Sequence, residues 1–235
     1  ERGELTLPMA LGEGCYFLKE VAAPEGYVLD SEPAAFAVSA DYRGWDDPIV
    51  LTFADAPQNG TVTVSKTNSE TGSPVDGSTY IVKAEGDVST PDGTLRYADG
   101  QIVATLTTDA EGHATSEPLY LGTYTVYEAK AKDGYALDVA ENTVALTYQG
   151  QEASVFDERI DVADAPTELR LAKVDSLDGE TPIEGAVFRI WNDAGDFDET
   201  LTTDESGVID LKYLKHGSYH LQEVAAAEGY VISDV

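Results

Sequence analysis

Gly122-Thr-Tyr124-Thr-Val126-Tyr-Glu128, closed six residues later by Gly134-Tyr135, is one of three copies of a single pattern. The others are Gly14, Tyr16, Glu20 with Gly26-Tyr27, and Gly217, Tyr219, Glu223 with Gly229-Tyr230, at identical offsets. Side chains of a strand alternate faces with a period of two. Tyr124 and Val126 therefore share a face with Glu128, as Tyr16 and Leu18 do with Glu20, and Tyr219 and Leu221 with Glu223. Each glutamate points where hydrophobic residues point, and a carboxyl there needs a chemical reason.

The repeat and the 235-residue length predict two to three β units of roughly 100 residues each. Thirteen Tyr, frequent Val and Thr, and closely spaced Gly and Pro turn signals fit an all-β chain, and no long segment has helical apolar spacing. Lys plus Arg number 14 against 44 Asp plus Glu, a formal charge of −30. Such a surface disfavours nucleic acid and anionic membranes as partners, and reads as a solvated acidic exterior. Cys15 is the one cysteine and can form no internal disulfide; Thr123 and Ser218 replace it in the other copies, so it reads as a small strand residue without a redox role. The sequence shows no signal peptide, transmembrane run or anchor motif. It opens in mid-repeat and reads as a piece of a longer protein.

Three segments follow. Residues 1–57 begin at Gly3, the counterpart of Gly112 and Gly207, and carry expected strands around Glu4 to Met9, at the glutamate, near Ala35 to Ser39, and over Ile49 to Asp55. Residues 58–165 hold the one complete repeat: a first strand with Val62, Val64 and Lys66 on one face, a second through Tyr80 and Val82, and an extended hairpin or loop over Glu85 to Gly100. Strands are then expected near Ile102 to Thr107, Thr115 to Tyr120, Gly122 to Glu128, Asn142 to Tyr148 and Ala153 to Asp164, the last with a bulge near Asp157. Residues 166–235 restart the pattern with Leu169, Leu171 and Lys173 on one face. Ala163-Asp164-Ala165-Pro166 repeats Ala54-Asp55-Ala56-Pro57.

Lys66, Glu128 and Asp164 each end an apolar row. A single strand-end lysine snorkels its ammonium to water and a single strand-end acid sits at a rim. Three such residues in one repeat, partly repeated in the others, are different. Burying an unpaired ion costs several kcal/mol, so the three must neutralise one another or react.

Lys66 to Gly72 to Pro74-Val-Asp-Gly77, its counterpart Lys173-Val-Asp175 to Pro182-Ile-Glu-Gly185-Ala-Val-Phe188, and the Gly-x-Tyr-x-x-x-Glu-x-x-Ala-x-x-Gly-Tyr run resemble the Cna-B type (SpaA-like) repeats of Gram-positive surface adhesins and pilins. The resemblance spans essentially the whole chain. It implies tandem prealbumin-like β-sandwich domains, the first and last incomplete here, and a self-formed isopeptide bond from a first-strand Lys to a last-strand Asn or Asp, assisted by a Glu. By motif position these are Lys66, Asp164 and Glu128, with Asp157 as an alternative acceptor. An Asp stands where many members have Asn. Glu20 and Asp55 are the corresponding residues of the first segment, Lys173 and Glu223 those of the third. A hydrophobic pocket favours neutral forms of amines and acids alike. A neutral lysine amine is a nucleophile, and a protonated glutamic acid can polarise the acceptor carboxyl and shuttle protons as water leaves.

The resemblance therefore implies structural stalk repeats of an extracellular, cell-wall-anchored surface protein. The reaction would be a single self-modification without turnover, and the cross-link would replace the missing disulfides. The alternative is an adhesin module that recognises a host matrix protein, cell-surface ligand or glycan through the Glu85–Gly100 and Asn192–Glu199 loops. His113, His216 and His220 occupy no common repeat position, so an enzyme acting on external substrates is disfavoured. No cofactor or metal is expected; Asn192, Asp193, Asp196 and Asp198 offer oxygen ligands for Ca²⁺ without EF-hand spacing. Asp55 of one chain could meet Lys173 and Glu223 of another, which predicts head-to-tail self-association.

Overall fold

The structure is a computed structural model that describes residues 3–7, 10–42 and 48–232. Every regular element among them is a strand. The first segment contains β1 (Gly14–Leu18), β2 (Tyr27–Val28), β3 (Ala34–Val38) and β4 (Ala56–Pro57). The middle segment contains β5 (Asn59–Asn68), β6 (Thr79–Ala84), β7 (Val88–Ser89), β8 (Leu95–Tyr97), β9 (Ile102–Thr107), β10 (His113–Thr115), β11 (Leu119–Tyr120), β12 (Gly122–Lys130), β13 (Glu141–Leu146) and β14 (Val155–Asp164). The third contains β15 (Glu168–Ala172), β16 (Val187–Asn192), β17 (Asp198–Thr202), β18 (Val208–Lys212) and β19 (Tyr219–Ala225).

The middle segment forms two sheets. In one, β5 is flanked by β14 on one side and by β10 and β11 on the other; in the second the order is β13-β12-β6-β9. Alternation along the strands sends Val62, Val64, Tyr80, Val82, Leu106, Tyr124, Val126, Val144 and Leu146 into one shared core. The β-branched and aromatic content of these strands suits such a half-buried pleated surface. The third segment repeats the design with β15 on β18 and β17-β16-β19, over a smaller core of Ile183, Ala186, Phe188, Ile209 and Ala227. In the first segment β1 pairs with β3 and β2 with β4.

The pairing of β5 with β14 is parallel and unbroken from Asn59↔Val155 to Asn68↔Asp164. The bulge expected near Asp157 is absent, so residues 155–164 alternate regularly. Two further expectations are corrected. Residues 115–120 do not make one strand: Ser116–Pro118 interrupt it, and Ser116 instead exchanges two hydrogen bonds with Val62, accepting the Val62 N–H at its Oγ and donating its own N–H to the Val62 carbonyl, both at 3.0 Å. Ile49–Asp55 keeps its face pattern, with Leu51, Phe53 and Asp55 half-buried between exposed Thr52 and Ala54, but joins no ladder. Its counterpart β14 pairs with a lysine-bearing first strand, and this sequence holds no copy of that strand before residue 49. Glu4–Leu7 are likewise unpaired, and Pro8 and Met9 lie outside the described residues. The Glu85–Gly100 segment does contain a hairpin, β7 with β8.

Candidate functional site

Lys66 is fixed first through its backbone. Its N–H donates to the Gly112 carbonyl (2.7 Å) and its carbonyl accepts the Val75 N–H (3.0 Å). Gly112 has φ +76°, and a side chain there would run into the Lys66 carbonyl oxygen, so only glycine lets the turn close this tightly over the lysine. The third segment repeats the clamp: Lys173 N–H donates to Gly207 (2.8 Å) and Ile183 N–H donates to Lys173 (2.9 Å).

Glu128 stands on β12 directly opposite Tyr80 of β6, and the ladder slips immediately after it, between Glu128 and Lys130. Glu223 stands opposite Phe188, with a slip at the same place. A bulge in both copies re-aims the end of the glutamate strand. The Asp138 N–H donates to Glu128 Oε2 at 2.9 Å and the Tyr80 hydroxyl reaches Oε1 at 3.4 Å. Asp164 ends β14, held by the Ser69 N–H donating to its carbonyl at 2.8 Å.

These three backbones bring Lys66, Glu128 and Asp164 together under the core, with relative exposures of 0%, 5% and 3%. Lys66 Nζ touches the Asp164 carboxyl and lies 3.4 Å from Glu128 Oε1 and 5.6 Å from the centre of the Tyr80 ring. Neither the amine nor either Asp164 oxygen has a hydrogen bond of good geometry, so amine and acid abut as reactants would. Burial pushes the Asp164 carboxyl up to about 6, against the pull of Lys66 and with a further push from Glu128. Burial, then the Glu128 and Asp164 charges, raise the Tyr80 hydroxyl. An acid whose proton affinity is raised by burial beside a lysine amine is suited to condensation, because its protonated form lets the departing oxygen leave as water.

The other expected residues fall differently. Asp157 does not reach the cluster: it pairs with Thr61 on the exposed face of β14, where the Thr61 and Thr63 hydroxyls each donate to it at 2.7 Å. It is seven residues from Asp164, an odd number, and in a strand without a bulge the two face opposite ways. Lys173 Nζ lies 3.0 Å from Glu223 Oε2, and the other Glu223 oxygen is buried without a partner. Burial and the neighbouring Asp55 raise the Glu20 carboxyl, while Asp55 Oδ1 accepts the Asp30 N–H at 3.2 Å. Among the described residues the complete triad thus assembles only in the middle segment; the flanks hold a Lys-Glu pair and a Glu-Asp pair.

Tyr80, Gly112 and the Asp138 N–H belong to the site and were not singled out from the sequence. Gly112 carried a signal, since the same glycine recurs as Gly207 at the same distance ahead of its glutamate, Glu128 in one copy and Glu223 in the other. The three aspartates of Asn192–Glu199 each have a side-chain partner: Asp193 meets His220 (2.5 Å), and Asp196 and Asp198 pair with Lys215 and Arg189 (2.7 Å each). Among the described residues no group of three or more His, Cys, Asp or Glu could hold a metal ion, and no helix is long and apolar enough to cross a membrane.

The chain is similar to known proteins mainly through its domains. No curated protein matches it. Among solved structures it is similar to the TIE protein of Bacillus anthracis, at 27% identity and a TM-score of 0.56, covering 95% of this chain and 38% of that one. A streptococcal ancillary pilin aligns at 20% identity and a TM-score of 0.38 over 95% of this chain and 70% of its own. The shaft pilin of Lactobacillus rhamnosus GG aligns at 15% and 0.33 over 75% and 91%. The chain thus spans well under half the length of the Bacillus anthracis protein. The prealbumin-like fold domain SpaA matches residues 1–45, 60–159 and 167–235, most of the sequence, and the chain belongs to that family.

Proposed function

We propose that the chain is a run of load-bearing spacer repeats from a cell-surface protein, and that the middle repeat staples itself covalently. The repeats correspond to residues 1–57, 58–165 and 166–235, the first being the closing part of a domain and the last the opening part of another. The surface setting rests on membership of the SpaA family.

The observation that carries the proposal is the buried Lys66-Glu128-Asp164 cluster between adjacent parallel strands. The neutral Lys66 Nζ attacks the carbon of the protonated Asp164 carboxyl, the C–N bond forms, the carboxyl C–OH bond breaks, and one amine proton passes through Glu128 to the departing hydroxyl, which leaves as water while the other stays on the amide nitrogen. The event happens once per chain. Its mechanical consequence follows from topology. The chain enters the repeat at the start of β5 and leaves at the end of β14. With the amide in place, tension runs along β5 to Lys66, across to Asp164 and out, leaving the intervening residues unloaded.

Intact mass tests this. The chain should weigh one water less than its sequence, and Glu128→Ala should restore the full mass. Full mass in the unaltered chain would overturn the proposal.

A further inference from the structure

The Gly-Tyr turn that closes each copy of the repeat has no role in the cross-link, yet it has the same backbone in all three: φ is +88° at Gly26, +89° at Gly134 and +88° at Gly229. Around Gly229 an added Cβ would meet open space, so the left-handed shape is intrinsic to the turn and is not imposed by a neighbour. At the other two glycines the space is filled by the following repeat. A Cβ on Gly26 would collide with the Pro91 ring, and one on Gly134 with the backbone of Tyr213 at 2.9 Å.

The linker is seated in the same turn both times. Gln58 N–H donates to the Gly26 carbonyl (2.8 Å) and Thr167 N–H to the Gly134 carbonyl (3.0 Å). Pro57 pairs with Tyr27 and Pro166 with Tyr135. The first joint is completed by Gln151, whose carbonyl accepts the Leu29 N–H (2.9 Å) and whose side chain accepts the Ala23 N–H (3.0 Å). Pro91 sits between β7 and β8, in a loop for which ligand recognition was the alternative role, and here it faces the preceding repeat.

The second joint is more elaborate. Tyr213 is the one non-glycine among the described residues with positive φ, +63°, a conformation that is strained for a bulky residue and persists only when its surroundings hold it. Those surroundings come from the linker at Thr167 and from the middle repeat. The Tyr213 N–H donates to Thr167 (2.9 Å), its ring meets Tyr135 edge-on with centroids 5.6 Å apart, and its hydroxyl accepts from Asn68 Nδ2 (3.1 Å). Asn68 is buried, also donates to the Tyr135 hydroxyl (3.3 Å), and lies two residues past Lys66 on β5. Lys212 adds an ion pair to Glu70 at 2.7 Å.

We propose that the closing Gly-Tyr turn is a pre-shaped docking socket whose partner is the next repeat of the same chain, with Pro91 the plug at the first joint and Tyr213 at the second. The inference rests on reading the repeats as separate units, not on the cross-link. Rigid joints make the repeats a rod of fixed orientation. The socket glycines are required because the plugs occupy the volume a side chain would take.

Residual dipolar couplings on the full chain test the second joint, fitted separately for residues 59–164 and 168–225. A single alignment tensor should fit both in the unaltered protein. Tyr213→Asn keeps a residue that tolerates the left-handed conformation and keeps the N–H to Thr167, but removes the ring. It should leave both segments folded and lower the alignment magnitude of the third by about twofold or more. Gly134→Ala should do the same from the socket side. Divergent tensors in the unaltered chain would overturn the proposal, as would one shared tensor in both variants. Water loss by intact mass reads the cross-link independently, so failure of one reading is distinguishable from failure of the other.

Discussion

Lys66 lies directly across the parallel β5–β14 ladder from Val162, so Asp164, two residues further on, presents its carboxyl to the same buried face. The amine reaches it without leaving the strand direction. Closing a loop of about 100 residues in this way should add roughly 4 to 5 kcal/mol by chain entropy. In a domain of this size that corresponds to a Tm higher by about 20–30 °C. Calorimetry of the unaltered chain against Glu128→Gln should show that separation for the middle repeat, and equal transitions would contradict it.

Proteolysis should follow the same order. Only the middle repeat holds all three groups, so limited digestion is expected to leave a core near residues 58–165, with early cuts in 1–57 and 166–235. Glu128→Ala should remove this advantage.

The pH response distinguishes the acid from the amide. Asp164 is pushed up to about 6 from an ordinary 3.8. The folded state therefore binds its proton more tightly than the unfolded state. The stability it contributes is present below the unfolded value and is lost as pH rises through about 6. Burial is the largest cause, so Glu128→Gln, which blocks condensation, should retain the effect and lose up to roughly 3 kcal/mol between these values. The cross-linked chain has no Asp164 carboxyl left to titrate. The difference between the two stability curves isolates this group from the general repulsion of the acidic surface.

Tyr80→Phe should slow the condensation without preventing it. The hydroxyl reaches Glu128 at 3.4 Å, a weak contact, and the third repeat carries Phe188 in its place. A hydrogen bond of about 0.5–1.5 kcal/mol implies a slowing of about two- to tenfold. A time course of water loss on refolding would measure it, and complete loss of the reaction would place Tyr80 among the proton carriers.

The flanking half-sites are complementary. Among the described residues Lys173 pairs with Glu223 and no acceptor acid joins them, while Asp55 sits beside Glu20 and no lysine joins that pair. Asp55 of one copy could meet Lys173 of a second and lose water to it, a head-to-tail arrangement that propagates. Covalent ladders on a denaturing gel that vanish in Lys173→Ala would bear this out, and a strictly monomeric chain at high concentration would exclude it.

The sequence by itself determined the strand faces, because alternation is a local property of the extended backbone. It aligned Lys66, Glu128 and Asp164 with the apolar rows and, through repeated offsets, showed which residues play the same part in each copy. It also determined the turns that only glycine can make. What the tertiary structure alone decided was pairing. Whether β14 carries a bulge depends on its ladder with β5, and that ladder put Asp157 on the outer face and Asp164 on the inner one. Ile49–Asp55 kept its alternation but not its strand, because a strand is completed by a neighbour and alternation is not. Tyr80 entered the site, and Tyr213 and Asn68 the joint, through contacts between residues 48 and 145 positions apart, a separation that no local pattern encodes.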